Sequence, residues 1–335
     1  MNNAYDKYGV KISIIIPCYN ASKYIERCLN SVFKQTCLPY QINLINDCSK
    51  DDTAEKVTKI NQSSPVPIQL INNEKNMGPG YGRQVGIDTA EDGYLCFMDS
   101  DDWIEPNLIE DLCETIRKDG SDLIIYNNYI TTKDGTQKVG HTIDGIVSGN
   151  KHILLAKYGY SLWRISCKKE LFSNLIHSKY KHLEDAVLVY QLLLKCKNYS
   201  ILDQCYYNYF SDNSSSLSKN PSKDTYSDAI HTFDIIRSYF SDEYKKELEF
   251  IGIKIVLISA VINALSASCS AKEIRKICTD FQNDFPNWYN NDYIKDLPSG
   301  NKKLLSQIQK KQFLKIKLSY SLHFLLAKFY HRIKY

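Results

Sequence analysis

Four short apolar runs, each closed by a polar or acidic cluster and separated from the next by helical spacing, constrain this chain more than any other feature. Ser13-Ile-Ile-Ile-Pro17 is a continuous apolar run ended by proline, the pattern of a strand covered on both faces of a parallel sheet. Tyr19-Asn20 follows at once. Ser22 is placed to cap a helix on which Tyr24, Ile25, Cys28, Leu29, Val32 and Phe33 form one apolar stripe. Ile42 to Ile45 reads as a second strand, followed by the polar turn Asn46 to Asp52 and a helix to about Asn61. Ile68 to Ile71 is a third strand. After the loop Asn73 to Gly82 a helix runs to Ala90, and Tyr94 to Met98 is a fourth strand that stops at Asp99. Strands alternating with helices at this spacing predict an open, mostly parallel α/β sheet.

The alternation then ends. Pro106 to Lys118 reads as a helix with its proline in the first turn, and Leu123 to Thr131 with Thr136 to Val139 as a hairpin about Lys133-Asp134-Gly135. Ser-rich Asn213 to Ser218 has the composition of a boundary, and from about Asp224 the chain reads as helices. These features divide it into 1–105, 106–218 and a helical region 219–335. The longest apolar run, Phe250 to Ala267, contains Lys254 and Asn263, which favours a buried helix over a membrane span.

Charge and cysteine usage exclude some classes. A net charge of +4 lacks the concentrated basic face of a nucleic-acid binder. The 11 cysteines form no C-x-x-C pair and no metal-like spacing, so reduced thiols in a cytoplasmic protein are expected. Met1 to Gly9 lacks the basic-then-apolar layout of a secretion signal, and the protein is expected to stay where it is made.

In open α/β sheets ligands bind outside the carboxyl ends of the strands, where loops and helix N-termini converge. Tyr19-Asn20, Asn46-Asp47 and Asp99-Ser-Asp-Asp102 all stand at such ends and are expected to line one crevice. Carboxylate oxygens suit Mg²⁺ or Mn²⁺ and leave room for water and phosphate oxygens. On its own, a D-x-D-D cluster more often only caps the following helix; its place at a strand end favours chemistry. The turn after the first strand, Pro-Cys-Tyr-Asn, is not the G-x-G-x-x-G of a dinucleotide-binding oxidoreductase.

Four segments together resemble the family 2 glycosyltransferases, whose fold is called GT-A: Ser13 to Asn20, Ile45-Asn-Asp-Cys-Ser-Lys-Asp51, Asn76-Met-Gly78 with Gly82-Arg-Gln84, and Phe97-Met-Asp-Ser-Asp-Asp-Trp103. The resemblance spans roughly residues 10–215. It implies a GT-A domain whose donor half is 1–105 and acceptor half 106–218.

The same resemblance implies roles. Pro17, Tyr19 and Asn20 stand around the donor base, and Asp47 is similar to the acid that accepts from a base imide, which favours uracil. Cys48 stands where the turn usually has glycine. Asn76, Gly78, Arg83 and Ser100 belong to the donor side, with Gln84 replacing the usual asparagine. Asp99 looks like the ribose- or metal-contacting acid and Asp101 like the direct metal ligand. Asp102, Trp103, Trp163 and Glu184 fall on the acceptor side. Lys181-His-Leu-Glu-Asp-Ala-Val-Leu188 resembles the family's Glu-Asp motif, making Asp185 the catalytic base. Related enzymes often place a histidine downstream as a further metal ligand, whereas Tyr206 to Asn213 contains none, leaving Asp212, Asn213, water or diphosphate oxygens.

The expectation is therefore an inverting, divalent-metal-dependent transfer from a nucleotide diphosphate sugar, a UDP-sugar, to a hydroxyl of a glycan or lipid-linked oligosaccharide. A sugar-phosphate nucleotidyltransferase and a non-catalytic nucleotide-sugar or glycan-binding module are the alternatives. The tail Lys310 to Tyr335 interleaves lysines and arginine with Leu314, Leu318, Leu322, Leu325 and Phe329, a basic amphipathic pattern suited to the inner membrane surface. A terminal helix packed on the protein is the other reading of it.

Overall fold

The computed structural model describes residues 3–140, 143, 145–178, 180, 182–213 and 223–320. The chain divides into two compact units, Met1–His177 with Asp185–Ser214, and Ser178–Glu184 with Ser215–Tyr335. The short segment Ser178–Glu184 groups with the second unit, although its place in the sequence suggested the acceptor half.

The first unit is a mixed sheet flanked by helices. Its strands are β1 (Ile12–Cys18), β2 (Gln41–Asn46), β3 (Ile68–Asn72), β4 (Tyr94–Phe97), β5 (Trp103–Ile104), β6 (Leu123–Thr131), β7 (Gln137–Val139), β8 (Ile165–Lys168) and β9 (Tyr199–Phe210). The sheet order is β3-β2-β1-β4-β8-β6-β9-β5, with β7 paired to β6 as a hairpin. The first four strands are parallel, as the alternation requires. β8 then enters antiparallel between β4 and β6, and β9 runs parallel to β6. β1 is buried at every position, because helices cover both sheet faces there.

The helices of this unit are α1 (Ala4–Tyr8), α2 (Ile25–Phe33), α3 (Thr53–Asn61), α4 (Pro79–Thr89), α5 (Leu108–Asp119), α6 (Lys151–Lys157) and α7, which runs Glu184–Lys195. On α2 the buried face is Ile25, Cys28, Leu29 and Val32, the expected stripe. Ser22 does not cap that helix: Tyr24 holds the cap position without a side-chain bond, while the Ser22 N–H donates to Asp51 at 3.1 Å. Asn107 is the N-cap of α5, so the cluster Asp99 to Asp102 is not a helix cap.

The second unit contains α8 (Lys223–Tyr239), α9 (Lys245–Gly252), a π-helical stretch Ile253–Ala260, α10 (Val261–Ser266), α11 (Ala271–Asp284) and α12 (Ser299–Gln309). Asp242–Ser266 is long and apolar enough to cross a membrane, and most of it is buried inside the unit. Its Ile251, Ile255, Leu257 and Val261 are fully buried, and Gly252 admits Phe233 and Phe281 against the helix backbone. Residues 313–320 form a further helix of about two turns.

Candidate active site

The ends of β1 and β2 are tied into one rim. Asn20, in the left-handed region at φ 50°, donates its N–H to Ser49 at 3.0 Å and accepts from the Lys50 N–H at 2.8 Å. Asn46 donates to Asn72 on the neighbouring strand end at 2.8 Å and accepts from the Ser49 N–H at 3.2 Å. Cys48 adopts φ 60°, a conformation that favours glycine and costs other residues about 1 kcal/mol. The cysteine in place of glycine therefore keeps the turn at an energetic cost. Pro17 is buried in β1 beneath this rim, while Tyr19 projects from it with 47% of its surface exposed.

Asp47 is 3% exposed and its carboxylate holds the loop after β3. It accepts from Asn73 Nδ2 at 2.8 Å, from the Met77 N–H at 3.0 Å and from the Gly78 N–H at 2.7 Å. Gly78, at φ 89°, is the residue whose freedom lets the chain turn its N–H toward that carboxylate before entering α4. In this state the acid expected at the donor base spends its oxygens on Asn73, Met77 and Gly78, and Asn76 stands exposed at the tip.

β4 ends at the acid cluster. The Asp99 N–H donates to the Tyr207 hydroxyl at 3.0 Å, and that hydroxyl donates to Asp102 Oδ2 at 2.7 Å. Asp102 Oδ1 accepts from the Phe210 N–H at 2.7 Å, and the residue is 1% exposed. Burial, with Asp101 and Asp99 nearby, holds the Asp102 carboxyl well above the usual range. Asp102, expected on the acceptor side, is here turned inward and braces β9 against the acid loop. Asp101 is half-buried and accepts from Asn213 Nδ2 at 2.7 Å, and burial together with Asp99 raises its carboxyl. Ser100 lies half-buried between the two acids. Asp212 points elsewhere, accepting the Lys133 N–H at 2.8 Å.

Arg83 joins this loop to the second half of the site. Glycines on α4 bring the helix onto the sheet: a Cβ at Gly82 would stand 3.1 Å from Pro17 Cβ, and one at Gly86 would overlap Ile15. That close approach buries Arg83 to 5% exposure, with Nη2 2.9 Å from Asp99 Oδ1 and Nη1 2.7 Å from Asp185 Oδ1. Gln84 turns along its own helix to Asp88 at 2.7 Å. Glu184 opens α7 and Asp185 follows it. Leu183, just before, takes φ 60°, a strained conformation for leucine that costs about 1–3 kcal/mol. Nothing in the residue type announces that strain.

Aromatic rings complete the surroundings. Trp163 stacks on Tyr207 at 4.5 Å and on Tyr209 at 5.8 Å, and remains half-buried. Trp103 lies under Arg27, whose guanidinium is 4.0 Å from that ring and 4.5 Å from Phe210. Arg27 Nη2 also donates to the Asp101 carbonyl at 2.6 Å. Arg27 and Tyr207 were not visible as site residues in the sequence, because both act through contacts made far along the chain. His182 bonds within the second unit, 3.3 Å from Asn263 Nδ2.

Comparison with known proteins places this arrangement. Residues 13–177 match the family model described as glycosyl transferase family 2. An uncharacterized glycosyltransferase of Haemophilus influenzae is 30% identical over 188 residues, 55% of this chain and 61% of that protein. The uncharacterized glycosyltransferase EpsJ of Bacillus subtilis is 24% identical over 79% of this chain and 81% of its own length. Among solved structures, TarS of Staphylococcus aureus in complex with UDP-GlcNAc superposes with a TM-score of 0.68 at 20% identity, covering 94% of this chain and 91% of that one. The sheet with its flanking helices is thus the GT-A fold, and its segment 13–177 is a glycosyl transferase family 2 domain.

Proposed function

We propose that this chain is an inverting glycosyltransferase that moves a sugar from a UDP-sugar to a hydroxyl of a growing glycan or lipid-linked oligosaccharide, with Asp185 as base. The observation that carries the reading is Arg83 between Asp99 and Asp185, which sets the acid loop and the base in one unit. UDP and UDP-GlcNAc occupy TarS structures of the same fold, which supports a nucleotide-sugar donor.

Mn²⁺ or Mg²⁺ suits the acid loop. Burial, together with Asp99, raises the Asp101 carboxyl, so a cation between these hard oxygens would favour the charged form of the pair. Among the described residues no three His, Cys, Asp or Glu side chains converge as a metal cage. Two carboxylates, with diphosphate and water oxygens for the remaining positions, suit an ion of this kind. Asp99 and Asp101 would hold such an ion, and the chemistry it would supply there is charge neutralisation for a diphosphate leaving group.

The residues of the chain do the rest. Asp185 takes the proton of the acceptor hydroxyl as that oxygen attacks the anomeric carbon opposite the diphosphate. A single displacement inverts the centre and needs one base only. Trp163, already stacked on Tyr207, offers an apolar face on the acceptor side.

We place the protein in the cytoplasm, peripheral to the inner membrane face. All 11 cysteines are free, which supports a reducing compartment. In the helix 313–320, Phe313 and Ile316 are buried while Leu314 and Leu318 are 71% and 70% exposed beside Lys315 and Lys317. An apolar pair flanked by lysines supports contact with anionic lipid. Residues 321–335 of the basic tail lie outside the described residues.

The test of the catalytic reading is Asp185→Asn assayed for UDP release from a panel of UDP-sugars. Turnover is expected to fall roughly 10²- to 10⁴-fold with UDP binding kept. Near-normal turnover in that variant removes Asp185 as base.

A further inference from the structure

The two halves of the site meet on a single side chain. Arg83 is buried, and its two Nη atoms point to different carboxylates, Asp99 at 2.9 Å and Asp185 at 2.7 Å. The helix that carries it has little latitude to shift, since Gly82 and Gly86 set its backbone flush on Pro17, Ile15 and Ile45. The place of the guanidinium is therefore fixed by the central strands and not by a flexible loop.

We propose that Arg83 is a positioning residue for Asp185: its guanidinium holds the base in its attacking place relative to the acid loop, beyond any contact it makes with the donor. This rests on Asp185 being the base. The physical reason lies in the shape of the group. A planar fork bridges two carboxylates at a fixed separation, whereas an ammonium is a point charge on a flexible stem. Two carboxylates brought into one crevice repel, and a cation between them favours the ionised form of both.

Among the described residues, the Arg83 guanidinium stands 2.7 Å from the Asp185 carboxylate. Arg83 faces it from α4, Glu184 precedes it in the chain, and the buried Tyr158 phenol lies within electrostatic reach while its hydroxyl donates to the Ser161 carbonyl at 2.9 Å. Tyr158 is neutral at working pH, since burial raises its phenol further. Loss of Arg83 thus removes a cation that favours the charged base and a contact that fixes its orientation.

Arg83→Gln and Arg83→Lys separate this role from simple donor binding. UDP affinity is measured by titration calorimetry, and kcat, KM and the pH profile of kcat/KM with the UDP-sugar that the wild type turns over. Both variants are expected to lose about 10²-fold in kcat or more, with UDP affinity changed less than about fivefold. The acid limb of the profile is expected to move upward by about one pH unit in Arg83→Gln. Raised donor KM with unchanged kcat and an unmoved acid limb would overturn the proposal and leave Arg83 a donor contact. Arg83→Lys keeps a cation in the buried site, so it reports even where Arg83→Gln folds poorly; full kcat in Arg83→Lys would equally overturn it. Normal turnover in Asp185→Asn would instead sink the base assignment, and the proposal with it.

Discussion

The hydroxyl of Tyr207 donates to the buried carboxylate of Asp102 at 2.7 Å, across a separation of 105 residues. The same oxygen accepts the Asp99 N–H at 3.0 Å, so one phenol sets both ends of the acid loop. Tyr207→Phe leaves a buried carboxylate short of one partner and a backbone N–H short of its acceptor. A loss of about 1–3 kcal/mol in unfolding free energy is expected, with weakened UDP binding. Urea denaturation and calorimetric titration check this, and an unchanged midpoint would contradict the bracing role.

Asp101 carries the metal expectation. Removing its carboxylate leaves Asp99, already paired to Arg83, as the remaining acid of the pair. Asp101→Ala is expected to abolish the part of UDP affinity that depends on Mn²⁺. Titrations with and without the ion measure it, and an identical Mn²⁺ dependence in the variant counts against the site.

Lys254 lies in the apolar π-helical stretch, its ammonium 5.2 Å from the Phe250 ring, and burial lowers it to about 8. The unfolded value is near 10.4, so the folded state prefers the neutral amine. Below pH 8 the full cost of burying the charge is present; as pH rises from 8 to about 10.4 that cost disappears. Lys254→Met is therefore expected to gain about 1–3 kcal/mol at pH 7, with the gain shrinking by pH 9.5. Denaturation curves at the two pH values would show the opposite trend if the ammonium were well solvated.

Leu314 and Leu318 give the membrane reading a handle that leaves the site alone. Replacing both by serine removes apolar surface that would otherwise enter the lipid interface. Co-sedimentation with phosphatidylglycerol vesicles is expected to fall by about tenfold or more while UDP binding stays unchanged. Equal sedimentation of the two proteins would assign these leucines to another surface.

The parallel half of the sheet was legible because its strands are continuous apolar runs: Ile12 to Cys18 could hardly be anything but a strand covered on both faces. The strand ends were legible for the same reason, and with them Asp47, Asp99 and Asp101. What escaped were elements without a period. β8, Ile165–Lys168, is four residues long and gains its identity only by pairing with Tyr94 to Cys96 and Leu123 to Ile125. β9 mixes exposed and buried positions and shifts register opposite Tyr126 to Asn128, which erases alternation. Asp102 looked like its neighbours because direction is invisible in a run of acids; β5 begins at the next residue and carries it inward. The Arg83 bridge likewise needed the packing of α4, which the glycines hinted at but did not locate.

The span between the acid loop and its supports bears on how the protein is made. A nascent chain presents Asp99 to Asp102 early, yet Asp185, Tyr207, Phe210 and Asn213 emerge only after the segment 13–177 is complete. Until then Asp102 has neither its phenol nor its backbone donor, and a half-made domain carries an unbraced acidic loop. A fragment cut at residue 177 would preserve the recognisable family segment while stranding the loop in that immature condition.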